Sequence, residues 1–184
     1  VLTGIRSPLG MEVITDMILV PLMPEQMLTL EESFILDKFL EAGRLAERYG
    51  AKLLGLGAYA ASVGRKGVYL AKRLRVPLTT GSSYTIAVVI EAVLEACKAV
   101  GIELKEATIA VVGATGTIGR ICTQLMAREA HHLLLVARNR QRLEDLVQLL
   151  AEGGHAATAS IVDLDAAVAN ADVIITATNT PTAL

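Results

Sequence analysis

Three glycines spaced three residues apart are the feature of this chain best suited to chemistry. The short apolar run Thr108 to Val112 leads directly into Gly113, Gly116 and Gly119, and a helical pattern follows. Gly113 allows a sharp turn, Gly116 has no Cβ to keep a phosphate away, and Gly119 allows a helix to pack closely on the strand. A strand, a glycine turn and a helix in this order are typical of a dinucleotide-binding βαβ unit.

The sequence around the glycines supports this interpretation. Apolar residues then recur at helical spacing, at Ile118, Ile121, Cys122, Leu125 and Met126. The continuous apolar run 133–137 suits a buried parallel strand. A turn that binds no ligand is the alternative, but a helix N-terminus at this place favours a bound pyrophosphate. The cofactor contacts expected from the loop are Gly113, Ala114, Thr115, Gly116, Thr117 and Ile118.

The end of the second predicted strand indicates which dinucleotide is bound. A site that prefers NAD usually has Asp or Glu there to bind the ribose 2′-hydroxyl. Here the chain has Ala137, Arg138, Asn139 and Arg140, with no carboxylate. Guanidinium groups pair well with a 2′-phosphate, so these four residues predict NADP(H). The alternative is that the arginines only solvate the next helix, although cations at a helix N-terminus oppose its dipole.

Composition limits the possible functions. The chain has 184 residues, is 53% hydrophobic and carries a net charge of −2. No apolar run approaches the ~18 residues of a membrane span. The basic clusters at 72–75 and 138–142 are short, which argues against nucleic acid as the principal partner. No signal peptide is visible, so we expect a cytoplasmic protein.

Periodicity predicts an α/β fold in two parts. The first lobe, residues 1–81, has a hairpin over 2–20 with 13–20 as its second strand, helices over 30–49 and 66–74, and short strands over 52–56 and 76–80. Helix 30–49 has an apolar face formed by Ile35, Phe39, Ala42, Ala46 and Tyr49. A long helix, 86–100, links it to a partial Rossmann lobe, a doubly wound parallel sheet within residues 82–184. The buried stripe expected on this helix is Ile86, Val89, Ile90, Val93, Leu94, Cys97 and Val100. Strands 108–112, 133–137, 156–161 and 172–177 alternate there with helices 117–129, 140–151 and 164–169.

The last predicted strand lies close to the end of the chain. A doubly wound domain has about six strands, so we expect this chain to be part of a longer protein, with catalytic residues possible beyond Leu184. An open strand edge would favour association into a homo-oligomer.

Candidate substrate contacts lie near the border of the two lobes. Thr80, Ser82 and Ser83 are polar residues that could face a substrate, or could simply cap the long helix. Tyr59 follows a predicted strand end and could donate a proton, although a surface-packed tyrosine is more common. Cys97 and Cys122 lie on apolar helical stripes and are expected to be buried. The histidines have no metal-ligand spacing, so no metal is predicted, and no catalytic residue is assigned.

Several of these stretches together resemble a known family. They are the run 79–85, the long helix with 101–108, the glycine loop 111–119 and the segment 133–138. Over roughly residue 54 to the C-terminus the chain resembles the cyanobacterial long-chain acyl-carrier-protein reductases. It also resembles their bacterial relatives, described as amino-acid or shikimate-type dehydrogenases. The family's usual Thr-Thr-Gly-Asn is Thr-Thr-Gly-Ser here, with Ser82 in the fourth position.

The resemblance implies an NADPH-dependent oxidoreductase with two lobes and an active site in the cleft between them. The substrate would be a carbonyl or acyl thioester compound, which a carrier protein could hold. In the acyl reductases a downstream cysteine forms the thioester, and this chain ends before that region. The resemblance also favours cofactor contact by Thr176, Ala177 and Thr178 over a plain strand exit. The alternatives are a dehydrogenase of a small polar substrate and a dinucleotide-binding module without catalysis.

Overall fold

The protein divides into two compact units, Val1–Gly81 and Ser82–Leu184. The computed structural model describes residues 1–61, 67–154 and 157–178. Within them, no helix is both long and apolar enough to cross a membrane.

The first unit contains two small sheets and three helices in its described part. Its elements are β1 (Leu2–Arg6), β2 (Glu12–Thr15), α1 (Pro24–Thr29), α2 (Glu32–Arg48), β3 (Leu54–Gly55), a 3₁₀ turn (Ala58–Ala61), α3 (Val68–Ala71) and β4 (Leu78–Thr79). β1 and β2 form an antiparallel hairpin, and β3 pairs with β4 in parallel. The expected second strand, 13–20, was too long, because β2 ends at Thr15. Pro24 begins a helix that the sequence reasoning missed, in a position where its fixed φ is well tolerated.

Helix α2 supplies much of the first unit's core. Ile35, Phe39 and Ala46 are buried along one face, as the periodicity predicted. Tyr49 was expected on this face but is 73% exposed. It is wrongly placed because the helix ends there: Gly50 takes a left-handed φ of +75°, and the N–H of the next residue, Ala51, returns to the carbonyl of Ala46.

Glu47, near the end of α2, is hydrogen-bonded to the segment that leads into β4. Its Oε1 accepts hydrogen bonds from the backbone N–H groups of Arg75 and Val76, the latter at 3.1 Å. These two bonds lower the pKa of the Glu47 carboxyl below its ordinary value of 4.5. The folded state therefore prefers the ionised carboxylate.

In its described part, the second unit is a four-stranded parallel sheet with helices. Its elements are α4 (Ser82–Val100), β5 (Thr108–Val112), α5 (Thr117–Met126), β6 (His132–Val136), α6 (Arg140–Glu152), β7 (Thr158–Ile161), α7 (Leu164–Asn170) and β8 (Val173–Thr176). The strand order is β7-β6-β5-β8, and all three pairings are parallel. This order places the first strand of the unit, β5, in the interior of the sheet. A doubly wound sheet has the same arrangement, with the three strands of one half followed by the first strand of the other half. The predicted fold class is confirmed.

Burial in the second unit follows the sheet. Ile109, Val111, Leu133 and Leu135 are fully buried. Cys97 and Cys122 are also buried, as expected, on α4 and α5 respectively.

Two predicted helical stripes are narrower than the sequence pattern indicated. On α5, Ile121 is 38% exposed, because Gly119, Cys122, Thr123 and Met126 form the buried face. On α4, Leu94 and Val100 are exposed, while Ile86 and Cys97 are buried and Val89, Ile90 and Val93 pack on the core. A helix that packs on one side buries only part of an apolar surface that extends further round it.

The outer strands of the described sheet are β7 and β8. On β8 the side chain of Ile174 remains 40% exposed. The expected association of the chain into a homo-oligomer through such an edge stays a prediction.

Replacing Glu47 with Gln should destabilise the first unit in a pH-dependent manner. Because the folded-state pKa is lowered, the carboxylate stabilises the fold above its unfolded pKa and loses that effect as the pH falls through the folded value. We expect Glu47→Gln to lower the thermal midpoint by a few degrees near neutral pH. The difference should shrink as the pH falls below about 4.5, because the unfolded chain takes up a proton there and the native carboxyl follows at a lower pH.

The control is Glu41→Gln, on the same helix, where the carboxylate only pairs with exposed Lys38 at 3.2 Å. Circular dichroism melts of the three proteins across this pH range measure the effect. A Glu47→Gln difference that stays constant down to about pH 3 would contradict the assignment.

Candidate functional site

The carboxyl ends of three adjacent strands lie at one edge of the second unit's sheet. Val112 of β5 is in register with Val136 of β6 and Thr176 of β8. The residues that follow these three positions are Gly113, Ala137 and Ala177. The three groups of predicted cofactor contacts, 113–118, 137–140 and 176–178, therefore begin side by side. Ligands of open α/β sheets bind outside such carboxyl ends.

Backbone hydrogen bonds fix the glycine loop against the neighbouring strands. The N–H groups of Gly113 and Ala114 donate to the carbonyl of Val136 at 2.8 and 3.1 Å, and Gly116 N–H donates to Gly113 O at 2.9 Å. On the other side, Ala177 N–H donates to the carbonyl of Val112 at 2.8 Å. The loop is thus held in one conformation by both adjacent strands.

Gly113 allows the loop and the end of β8 to come into close contact. Its φ is +84°, a left-handed value that side chains disfavour. A Cβ on Gly113 would overlap the carbonyl of Ala177 and lie 3.2 Å from the backbone nitrogen of Thr178. The structure therefore brings residues 113 and 177–178, which the sequence only suggested separately, into direct proximity.

Gly119 and Gly116 have different roles in the loop. A Cβ on Gly119 would overlap the carbonyl oxygen of Gly113, so this glycine allows α5 to press against the loop. Gly116 is the N-cap of α5, with an ordinary φ of −72°. A Cβ there would lie 3.2 Å from Gly113 O and 3.5 Å from Ala177 O, in the space that the loop and the strand end enclose.

The start of α5 has the chemistry that a diphosphate needs. The first N–H groups of a helix, here those of Thr117 and Ile118, have no carbonyl one turn earlier to bind. The helix dipole adds partial positive charge at the same place, worth about 0.3–1 kcal/mol for an anion. Bare backbone at Gly116 lets a phosphate reach these groups. The residues present thus fit the diphosphate of a dinucleotide.

The segment after β6 carries positive charge at the start of α6. Arg138 is exposed and has no carboxylate at ion-pair distance among the described residues. Asn139 is the N-cap of α6, and its Oδ1 accepts the N–H of Arg142 at 3.0 Å. This bond leaves the amide nitrogen of Asn139 as the group that can donate. Arg140 pairs through Nε with Oε1 of Glu144 at 3.0 Å.

Glu144 is a residue that the sequence reasoning missed. Its separation of four residues from Arg140 on a predicted helix was the available signal, since side chains at that spacing meet.

The predicted substrate contacts belong to both units. In the first unit, Thr80 follows β4, and Tyr59 belongs to the 3₁₀ turn that follows β3. Because β3 and β4 are parallel, both segments leave the same edge of that small sheet. Ala58, beside Tyr59, has a left-handed φ of +48°, which is uncommon for a residue with a Cβ. In the second unit, Ser82 and Ser83 are the first two residues of α4.

Cys122 and two aspartates outside the predicted contacts have structural roles. Burial raises the pKa of the Cys122 thiol, which keeps it protonated and poorly nucleophilic. Asp163 caps α7 by accepting the N–H of Ala166 at 2.8 Å, and Asp172 accepts the N–H of Thr108 at 2.8 Å. Among the described residues, no cluster of His, Cys, Asp and Glu could hold a metal ion.

Comparison with known proteins identifies relatives of the chain. The model of a family described as "Shikimate / quinate 5-dehydrogenase" matches residues 95–184. The long-chain acyl-[acyl-carrier-protein] reductase of Synechococcus elongatus is 32% identical over 169 residues, covering 86% of this chain and 48% of that protein. The glutamyl-tRNA reductase of Actinobacillus succinogenes is 31% identical over 166 residues, covering 85% of this chain and 37% of that protein.

A solved structure of shikimate 5-dehydrogenase from Listeria monocytogenes, in complex with shikimate and NAD, also matches. It covers 74% of this chain and 47% of its own, with 15% identity and a TM-score of 0.38.

The resemblance predicted from the sequence is confirmed. The relatives are reductases and a dehydrogenase, and the match to the acyl-carrier-protein reductase extends over most of the chain. The chain spans about half the length of that reductase and just over a third of the glutamyl-tRNA reductase.

Substituting Gly116 with Ala should weaken dinucleotide binding more than it weakens the fold. The new methyl group would enter the space between Gly113 O and Ala177 O, while the φ of −72° is open to any residue. We expect affinity for a nicotinamide dinucleotide to fall by about tenfold or more. Titration calorimetry measures the affinity, and a thermal melt reports the fold.

The matched control is Gly55→Ala in the first unit, where a Cβ meets nothing within 4 Å. That variant should bind as the parent does. Unchanged affinity in a folded Gly116→Ala protein would refute a diphosphate site at this loop.

Proposed function

We propose that residues 82–184 bind NADP(H) and that the protein is an oxidoreductase of an acyl or carbonyl substrate. The observation that carries the proposal is the convergence of the glycine loop, the Ala137–Arg140 segment and the end of β8 at one sheet edge. Each segment has chemical groups that suit a different part of a dinucleotide.

The glycine loop and the start of α5 would hold the diphosphate. Residues 113–118 would do so through backbone N–H groups, with Gly116 providing the open approach. Arg138, Asn139 and Arg140 would receive the 2′-phosphate, with Ala137 beneath the adenosine ribose. Charge-assisted hydrogen bonds of this kind contribute about 1.5–3 kcal/mol each.

The end of β8 would position the nicotinamide half. Ala177 lies against Gly113, so its small side chain and those of Thr176 and Thr178 would allow the ribose to approach the backbone. When bound, NADPH supplies a hydride, and the protein supplies orientation and electrostatics. The first unit, residues 1–81, would then serve the substrate, with Tyr59 and Thr80 as contacts and Ser82 and Ser83 at the start of the next helix.

The names of the relatives favour an acyl substrate on a macromolecular carrier. The two curated reductases are named for an acyl group on a carrier protein and a glutamyl group on a tRNA. Both matches extend over some 85% of this chain and so include most of the first unit. The shikimate and quinate family, which would imply a small polar substrate, matches only residues 95–184. The second candidate is therefore a dehydrogenase of such a small polar compound.

Turnover assays separate these candidates. In one assay, purified protein is incubated with NADPH and a long-chain acyl thioester. In the other, it is incubated with NADP⁺ and a small hydroxy acid such as shikimate. The nicotinamide absorbance is followed in both. Oxidation of NADPH with the thioester supports the first candidate, and reduction of NADP⁺ supports the second. Binding of NADPH without turnover of any substrate favours a dinucleotide-binding module.

Neutralising Arg138 should reduce NADP(H) affinity selectively. Arg138 is exposed at the end of β6 and would pair with the 2′-phosphate, which NAD(H) lacks. We expect Arg138→Gln to weaken NADPH binding by about tenfold and to leave NADH binding unchanged. Quenching or enhancement of nicotinamide fluorescence on binding provides both affinities.

Arg128→Gln is the matched control, because it removes an exposed arginine between α5 and β6, before the amino end of β6. Equal affinity of the parent for NADPH and NADH, or an equal loss of both in Arg138→Gln, would overturn the NADP(H) assignment.

A further inference from the structure

Arg140 differs from Arg138 in its electrostatic surroundings. Both side chains are exposed near the end of β6, but Arg140 is bound to a carboxylate of its own helix. Its Nε lies 3.0 Å from Oε1 of Glu144, one helical turn further along α6. The ion pair uses the Nε–H and leaves the terminal nitrogens of Arg140 as donors to other anions.

Glu144 places a negative charge beside one of the proposed phosphate ligands. Its side chain is 46% exposed and that of Arg140 is 77% exposed, so the pair lies at the surface but is not fully solvated. A phosphate bound to the same guanidinium would lie within a few ångströms of the carboxylate, and the two anions would repel each other. A ribose 2′-hydroxyl carries no charge and would not be repelled.

We infer that Glu144 is a specificity-determining residue that reduces the preference of this site for a 2′-phosphorylated dinucleotide. It acts through Arg140, by partly neutralising its charge and by repelling the phosphate. The preference of the site for NADP(H) over NAD(H) is thus smaller than Arg138 and Arg140 would give without Glu144. This inference rests on the proposed NADP(H) function.

A nearby acidic residue of α6 provides a matched comparison. Asp145 follows Glu144 and has the same charge, but its Oδ1 accepts a hydrogen bond from Gln141 at 3.2 Å and makes no ion pair with Arg140. Glu144→Gln and Asp145→Asn therefore remove one negative charge each from the same helix. Only the first removes it from beside Arg140.

The test measures binding of NADPH and NADH to the parent and both variants. It also uses adenosine 2′,5′-bisphosphate and adenosine 5′-monophosphate, a pair that differs only in the 2′-phosphate. We expect Glu144→Gln to tighten binding of the 2′-phosphorylated ligands by about threefold to tenfold and to leave the others unchanged. The gain should diminish at high salt, since an exposed charge is screened. Asp145→Asn should change the ratio of affinities by less than Glu144→Gln.

Each other outcome overturns a defined statement. An unchanged or lower ratio in Glu144→Gln, or an equal gain in Asp145→Asn, refutes the role of Glu144 and leaves the dinucleotide site intact. A parallel change for all four ligands indicates a structural effect and also refutes it. Failure of the parent to bind any dinucleotide refutes the proposed function itself.

Discussion

The close approach of Gly113 to the end of β8 is the constraint on which the candidate site depends. The carbonyl of Ala177 occupies the space that a side chain on residue 113 would fill, and the left-handed φ of Gly113 turns the chain at that point. The next close contact, between Gly119 and the Gly113 carbonyl, sets the direction in which α5 begins. Without either glycine, the helix N-terminus would move away from the sheet edge and from the other segments of the site.

The register of the parallel sheet extends this constraint to a third segment. Val136 accepts hydrogen bonds from both Gly113 and Ala114, so the loop is tied to the end of β6 as well as to β8. Fully buried side chains on β5 and β6 fix that register, because a shift by one residue would turn them to the opposite face. Core packing therefore determines the position of Arg138 after the end of β6, although Arg138 itself is exposed.

Local patterns could predict the strands and helices of the second unit because each carries a strong signal. The run Ile109 to Val112 is apolar throughout, as a strand covered on both faces must be. The glycine spacing indicated a turn in which side chains would not fit. In the structure, a Cβ added at Gly113 or Gly119 would indeed overlap backbone atoms. The role of Ala177 against Gly113 could not be predicted, because it depends on which strand lies beside β5.

Side-chain exposure was harder to predict than element type. Ile121 and Leu94 fit a helical stripe, yet both are partly exposed, since the width of a buried face is set by the neighbouring elements. In the first unit the predicted strand 13–20 contains many β-formers, but only Glu12–Thr15 has a partner strand. β-propensity reflects packing and pairing more than an intrinsic backbone preference, so the pattern overestimated the strand.

The start of α6 shows how one short segment can meet two opposing demands. A helix N-terminus favours anions, whereas a phosphate site needs cations at the same place. Asn139 reconciles them in part, because its Oδ1 satisfies the Arg142 N–H and supplies negative partial charge to the helix. Glu144 contributes further by pairing with Arg140 one turn into the helix. Arg138 precedes the cap and lies outside the helix. Asn139 and Arg140 thus take part both in the start of the helix and in the proposed phosphate site, whereas Arg138 belongs to the proposed phosphate site alone.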